Sequence, residues 1–183
     1  MTHRKLLSLS ALPLLVAVLV ALILSGCSSS EASTGTTTGG SSSKAAPDFS
    51  VQTISGDNVS FNSLINKPLV LNFAASWCGP CELEAPVLEK MYEKYKDKVN
   101  FFGIAIRDQK EDQQAFAQKH GLQFPIGLDP DGKVLYNYQK AGKVNLSGIP
   151  TTFFIDKDGN IQAFFIGPLT EAAFEQKLAS ILK

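Results

Sequence analysis

A cysteine pair placed between a buried strand and a helix constrains this chain more than any other feature. Pro68 to Phe73 (PLVLNF) is a short apolar run, the pattern of a central strand buried on both faces. Trp77-Cys78-Gly79-Pro80-Cys81 follows at once, so both cysteines belong at the C-terminal end of that strand. Helical spacing then runs through Leu83, Val87, Leu88, Met91 and Tyr95, with Pro86 inside as an expected kink. Two cysteines with two residues between them can close a small disulfide. A helix starting at the first would stabilise a thiolate there through its free N–H groups and dipole. Such a thiolate attacks a partner's disulfide, and the second cysteine resolves the mixed disulfide. A half zinc site is the competing reading. It needs a second pair of ligands, and only Cys27, His3 and His120 remain to supply them.

Around this core the pattern alternates between the two periods. Asp48 to Thr53 and Val59 to Phe61 read as short strands joined by turn chemistry at Ser55-Gly56-Asp57-Asn58. Val99 to Ile106 is a second buried strand. Glu111 to Lys119 is a polar helix with Ala115 and Phe116 on one side, stopped by Gly121. Phe124 to Leu128 is a short strand, and Val134 to Tyr138 suits a short helix after the turn at Asp129-Pro130-Asp131-Gly132. Thr152 to Ile155 and Gln162 to Ile166 form a hairpin around Asp156 to Asn160. Thr170 caps a last amphipathic helix carrying Phe174, Leu178, Ile181 and Leu182. The order describes one α/β domain over residues 47–183, with a central mixed sheet flanked by helices. An N-terminal β-hairpin precedes it, and an αβ insertion spans residues 107–128.

The chain start has its own composition. His3-Arg4-Lys5 precedes an almost wholly apolar stretch from Leu6 to Leu24, and small residues then lead to Cys27. This order fits an export signal over residues 1–26. Leu24-Ser25-Gly26-Cys27 resembles a bacterial lipobox, which implies a lipid on Cys27 as the new N-terminus. An uncleaved membrane anchor is the alternative, since the apolar run is nearly long enough to span. Either way the domain is expected outside the cytoplasm, at a membrane, where a disulfide can persist. Lipidation would use Cys27 and leave one redox pair. From Ser28 to Ser43, fourteen of sixteen residues are Ser, Thr or Gly. Such a stretch cannot bury enough apolar surface to offset its chain entropy, so residues 27–46 read as a lipidated cysteine and flexible linker. Its typical reach is about 20–25 Å. Removing the leader leaves 15 basic and 17 acidic residues, a net −2, with no basic patch for nucleic acid.

The pentapeptide after a buried strand resembles the thioredoxin fold. Gly148-Ile149-Pro150-Thr151 before strand Thr152 to Ile155 strengthens the match, because proteins of this fold carry a cis-proline there, facing the redox cysteines. The resemblance implies that Ile149–Pro150 is that bond, and that Ile149, Pro150 and Thr151 shape a docking groove. Ala46-Pro47-Asp48-Phe49, the extra hairpin and the insertion are similar to the ResA/TlpA-like group of membrane-tethered thiol–disulfide oxidoreductases, an AhpC/TSA-redoxin-like branch. Several of that group serve cytochrome c maturation. Glu84 and Pro86 fill places where the group often has a glutamate and a proline. Thioredoxin itself has a buried aspartate six residues before its first cysteine. Asn72 stands there instead and cannot take a proton, so proton handling near Cys81 falls to Glu84 or to water.

The resemblance implies a cofactor-free, metal-free enzyme. Cys78 is expected as the exposed nucleophile at the helix start, with Cys81 resolving from one turn deeper. Glu84 tunes the pair, Trp77 shields it, and Gly79-Pro80 is the thioredoxin dipeptide, which leans toward a reductant. Expected partners are protein disulfides, apocytochrome c among them by resemblance, a membrane electron donor and the membrane itself. The domain is expected to be a monomer. A disulfide-donating oxidase is the alternative direction. A thiol peroxidase would want a threonine at Ala75, and a copper chaperone on this fold a wider cysteine spacing and a distal histidine. The calcium-like starts at Asp156 and Asp129 fail at their twelfth positions, Gly167 and Lys140. Asn58-Val59-Ser60 and Asn145-Leu146-Ser147 match glycosylation acceptors and are discounted in a bacterial setting.

Overall fold

A computed structural model describes residues 44–142 and 148–182. The leader over residues 1–26, Cys27, the linker up to residue 43 and Asn145-Leu146-Ser147 lie outside the described residues. The described strands are β1 (Lys44–Ala45), β2 (Ser50–Gln52), β3 (Asn58–Ser60), β4 (Leu69–Ala74), β5 (Asn100–Ile106), β6 (Ile126–Asp129), β7 (Thr151–Ile155) and β8 (Asn160–Ile166). The helices are α1 (Phe61–Leu64), α2 (Gly79–Tyr95), α3 (Lys110–His120), α4 (Lys133–Gly142) and α5 (Glu171–Leu178). No described helix is long and apolar enough to cross a membrane.

Six strands form one mixed sheet in the order β1-β8-β7-β4-β5-β6. β4, β5 and β6 run parallel, while β7, β8 and β1 pair antiparallel in turn. β2 and β3 make the expected hairpin, a separate two-stranded sheet. Ile54 ties it to β6 by donating its N–H to the Ile126 carbonyl at 2.9 Å. Gly127 lets the two meet: a Cβ there would collide with Val51 Cγ2 and lie 3.0 Å from the Phe102 ring.

The core follows the period of two. On one face Val70, Phe101 and Phe154 pack with Leu88 and Met91 of α2 and with Phe174 and Leu178 of α5. On the other, Leu71, Phe73, Phe102 and Phe153 pack with Tyr138, Phe49 and Phe61. Each such fully buried side chain contributes roughly 1.5–3 kcal/mol. Asn72 falls on the first face, between Gly103 of β5 and Thr152 of β7 in register. Asn72 and Thr152 together interrupt an otherwise apolar layer in the middle of the sheet.

Several boundaries move. A strand precedes Pro47: β1 pairs with the edge of β8, and the Ala46 N–H reaches the Gly159 carbonyl at 2.9 Å. Main-chain bonds hold it while both side chains of β1 are exposed, so composition gave no sign. Phe61 opens α1 and does not end a strand. On α2 the buried stripe is Cys81, Glu84, Ala85, Leu88 and Met91, and Leu83 falls off it, 73% exposed. On α3 the stripe is Gln113, Phe116 and Ala117, and Ala115 is exposed. α5 ends at Leu178, so Leu182 lies outside its phase and is exposed, although Ile181 is buried.

Candidate active site

Cys78 is the N-cap of α2, and Pro80 sits in the first turn, where no N–H is needed. Cys78 and Cys81 are joined as a disulfide. The Cys81 backbone N–H points at Cys78 Sγ, with N to S 3.2 Å. That N–H and the helix dipole lie where a Cys78 thiolate would need them. The expectation of an exposed nucleophile is corrected: Cys78 is only 5% exposed and Cys81 2%. The sulfur that an incoming thiol can reach lies at the bottom of a rim, not on a bare surface.

That rim comes from three segments. Gly79 and Pro80 are exposed, and Trp77 is 61% exposed, its indole N–H donating to the Arg107 carbonyl at 3.3 Å. The Ile149 carbonyl oxygen lies 3.6 Å from Cys78 Sγ. The Ile149–Pro150 bond is cis, and Pro150 is buried at the head of β7. The Thr151 side chain points inward and donates to the Gly148 carbonyl at 2.8 Å, so it shapes the loop from behind.

Beneath Cys81, Glu84 is 1% exposed. Its Oε1 accepts the Leu169 N–H at 3.0 Å, and its Oε2 accepts Asn72 Nδ2 at 2.9 Å. Asn72 Nδ2 also donates to Thr152 Oγ1 at 2.9 Å. Burial pushes the Glu84 carboxyl up to about 7, against the lowering effect of those two donors. The carboxyl therefore changes charge near neutral pH, one helical turn from the resolving sulfur. A cavity of about 20 Å³, room for about one water centre, opens beside it. Cys81, Glu84, Asn72, Gly103 and Gln113 are among its walls.

Asp108 is a positioning residue that sequence reading missed. It is buried and accepts from the Ser76 N–H at 2.6 Å, Ser76 Oγ at 2.8 Å and the Gln109 N–H at 2.9 Å. It thereby fastens the cysteine loop to the loop after β5. Its signal was its place, just past the end of a parallel strand neighbouring the one that carries the motif. Arg107 sits beside it with φ of 48°, and its guanidinium lies over Gly132. Ala75 is fully buried and offers no hydroxyl. His120 ends α3 with its ring against Phe116. Among the described residues no cluster suits a metal ion.

The AhpC/TSA family model matches residues 43–164. The thioredoxin-like protein YneN of Bacillus subtilis (strain 168) is 38% identical over 136 residues, 73% of this chain and 76% of that protein. The thiol-disulfide oxidoreductase ResA of Geobacillus kaustophilus (strain HTA426) is 34% identical over 137 residues, 74% of this chain and 75% of that protein. Among solved structures, a secreted Mycobacterium tuberculosis disulfide oxidoreductase homologous to E. coli DsbE superposes with a TM-score of 0.63. It is 30% identical and covers 72% of this chain and 95% of its own.

Proposed function

The chain belongs to the AhpC/TSA family and is a thiol–disulfide oxidoreductase; from that premise we propose that it works outside the cytoplasm as a reductant of protein disulfides. The observation that carries the chemistry is the disulfide at the start of α2 with a buried, near-neutral carboxyl beneath it. In the reduced enzyme the Cys78 thiolate attacks a substrate disulfide and one substrate sulfur leaves. Cys81 then gives its proton to the Glu84 carboxylate and attacks Cys78 Sγ. The second substrate sulfur leaves reduced, and the enzyme keeps the disulfide. Ile149 and Pro150 border the substrate chain on one side and Trp77 on the other.

The Gly79-Pro80 dipeptide supports the reducing direction. The lipobox-like tetrapeptide at Cys27 supports attachment to a membrane by lipid, and the secreted M. tuberculosis relative supports an extracytoplasmic place. A reductant there needs a membrane electron donor to restore its dithiol, and by family resemblance apocytochrome c is the substrate to try. The test is the reduction potential of the Cys78–Cys81 pair in the full chain, equilibrated against dithiothreitol or glutathione. A value near or below about −250 mV supports the reductant. A value near about −120 mV overturns it in favour of a disulfide donor.

A further inference from the structure

Gln113 is 3% exposed on α3, yet its Oε1 has no hydrogen-bond partner among the described residues. A buried carbonyl oxygen left unpaired is costly unless something answers it. The same side chain walls the cavity that Cys81 and Glu84 share. Asn72 cannot serve it, because its Nδ2 is already engaged by Glu84 Oε2 and Thr152 Oγ1. The protonated Glu84 has both oxygens accepting, from Leu169 and Asn72, and its own O–H is still to be placed. The cavity has room for about one water, and Gln113, Glu84 and Cys81 all line it.

We propose that Gln113 is a positioning residue, whose Oε1 holds a water between Glu84 and Cys81 through which the proton passes. This rests on the reading of Glu84 as the proton carrier. When a dithiol reductant's thiolate attacks Cys78 Sγ, the Cys78–Cys81 bond breaks and its electron pair leaves on Cys81. The water gives a proton to Cys81 Sγ and takes one from Glu84, which is left as carboxylate. The reductant's second thiolate then releases Cys78 and closes the reductant's own disulfide.

Besides Cys81, Glu84 is the one titratable residue among those lining the cavity, and the buried Asp108 beside the cysteine loop is held by Ser76 and the Gln109 N–H. β4, β5 and β7 carry no titratable residue. Asp129 at the end of β6 is held by the N–H groups of Lys133 and Leu135. Glu82 of α2 pairs with Lys119 of α3 at the surface, and His120 turns to Phe116. The segment from Gly167 to Thr170 brings only its backbone N–H.

The test is the rate of reduction of the full chain's disulfide by dithiothreitol, per reductant thiolate, from pH 5 to 9. Gln113→Leu is compared with wild type, with Gln113→Met in its place if the leucine variant does not fold. The expected result is a rate about tenfold lower below pH 6, where Glu84 holds its proton, and unchanged above pH 8.5. An unchanged rate at every pH overturns the proposal. A loss by the same factor at every pH also overturns it, since that is the mark of a merely structural residue. Glu84→Gln is run alongside and should lose the pH-dependent component. If Glu84→Gln keeps the wild-type profile, the Glu84 reading fails and Gln113 falls with it. If Glu84→Gln flattens the profile and Gln113→Leu does not, Gln113 alone is refuted.

Discussion

Replacing Glu84 by glutamine tests the electrostatics of the site without touching either sulfur. The carboxyl has an ordinary value of 4.5 and stands at about 7 in the folded, oxidised protein, with desolvation the dominant cause. Folding therefore favours the protonated form. The stability that this proton confers is fully present below pH 4.5 and is lost as pH rises through about 7. At 1.36 kcal/mol per unit, the loss amounts to about 3 kcal/mol. Glutamine does not titrate, so the variant should lack this decline. It keeps an oxygen for the Leu169 N–H but sets an amide NH₂ opposite Asn72 Nδ2. Asn72 must then turn over and give up its donation to Thr152, at about 1 kcal/mol. Wild type should thus be the more stable by about 1 kcal/mol at pH 4.5, and Glu84→Gln by about 2 kcal/mol at pH 8.5. The curves cross near about pH 5. Guanidinium unfolding of the oxidised full chain, followed by far-UV circular dichroism across this range, gives the difference. Every other titrating group cancels in it. A difference that stays constant from pH 4.5 to 8.5 would refute the raised Glu84 value and the proton-transfer role built on it.

Asp108→Ala should cost about 2 kcal/mol, because it leaves the Ser76 N–H unpaired below the surface. The same change should shift the emission of Trp77, whose loop Asp108 fastens, and a variant with wild-type unfolding midpoint and emission would contradict this role. Gly127→Ala should cost about 1–3 kcal/mol by driving a methyl group into Val51 and Phe102. Equal unfolding midpoints for Gly127→Ala and wild type would show that the hairpin can lift off β6 freely.

The apolar runs around the cysteines were legible because β4 and β5 are buried on both faces, which leaves a continuous signal. The cysteines, the proline at the head of β7 and Glu84 were legible because the spacing and resemblance of their motifs survive in one dimension. The burial of Glu84 was not. On α2 an apolar pattern favours Leu83 for the core, and the structure puts Glu84 there, because Asn72 and the Leu169 N–H await it across the sheet and the C-terminal loop. Those partners are 12 and 85 residues away along the chain. Asp108 and Gln113 were hidden for the same reason, since a polar residue in a loop or on a polar helix looks solvated until its neighbours are known. β1 was hidden because its stability comes from pairing with β8 and not from its own residues.

The hydrogen bond from Leu169 to Glu84 joins the last helix to the chemistry. Leu169 lies in the short segment that turns from β8 into α5, and its side chain is buried in the same layer as Phe174 and Leu178. Whatever loosens α5, whether a protease cut, a bulky tag or a core substitution at Phe174, admits solvent to the carboxyl and withdraws a donor from it. Solvation then outweighs the lost donor, and the acid falls toward its ordinary value. The protein would still show a closed disulfide and an intact central sheet. Its dithiol would react on a different pH scale, so damage at the C-terminus would read out as altered acidity before it read out as unfolding.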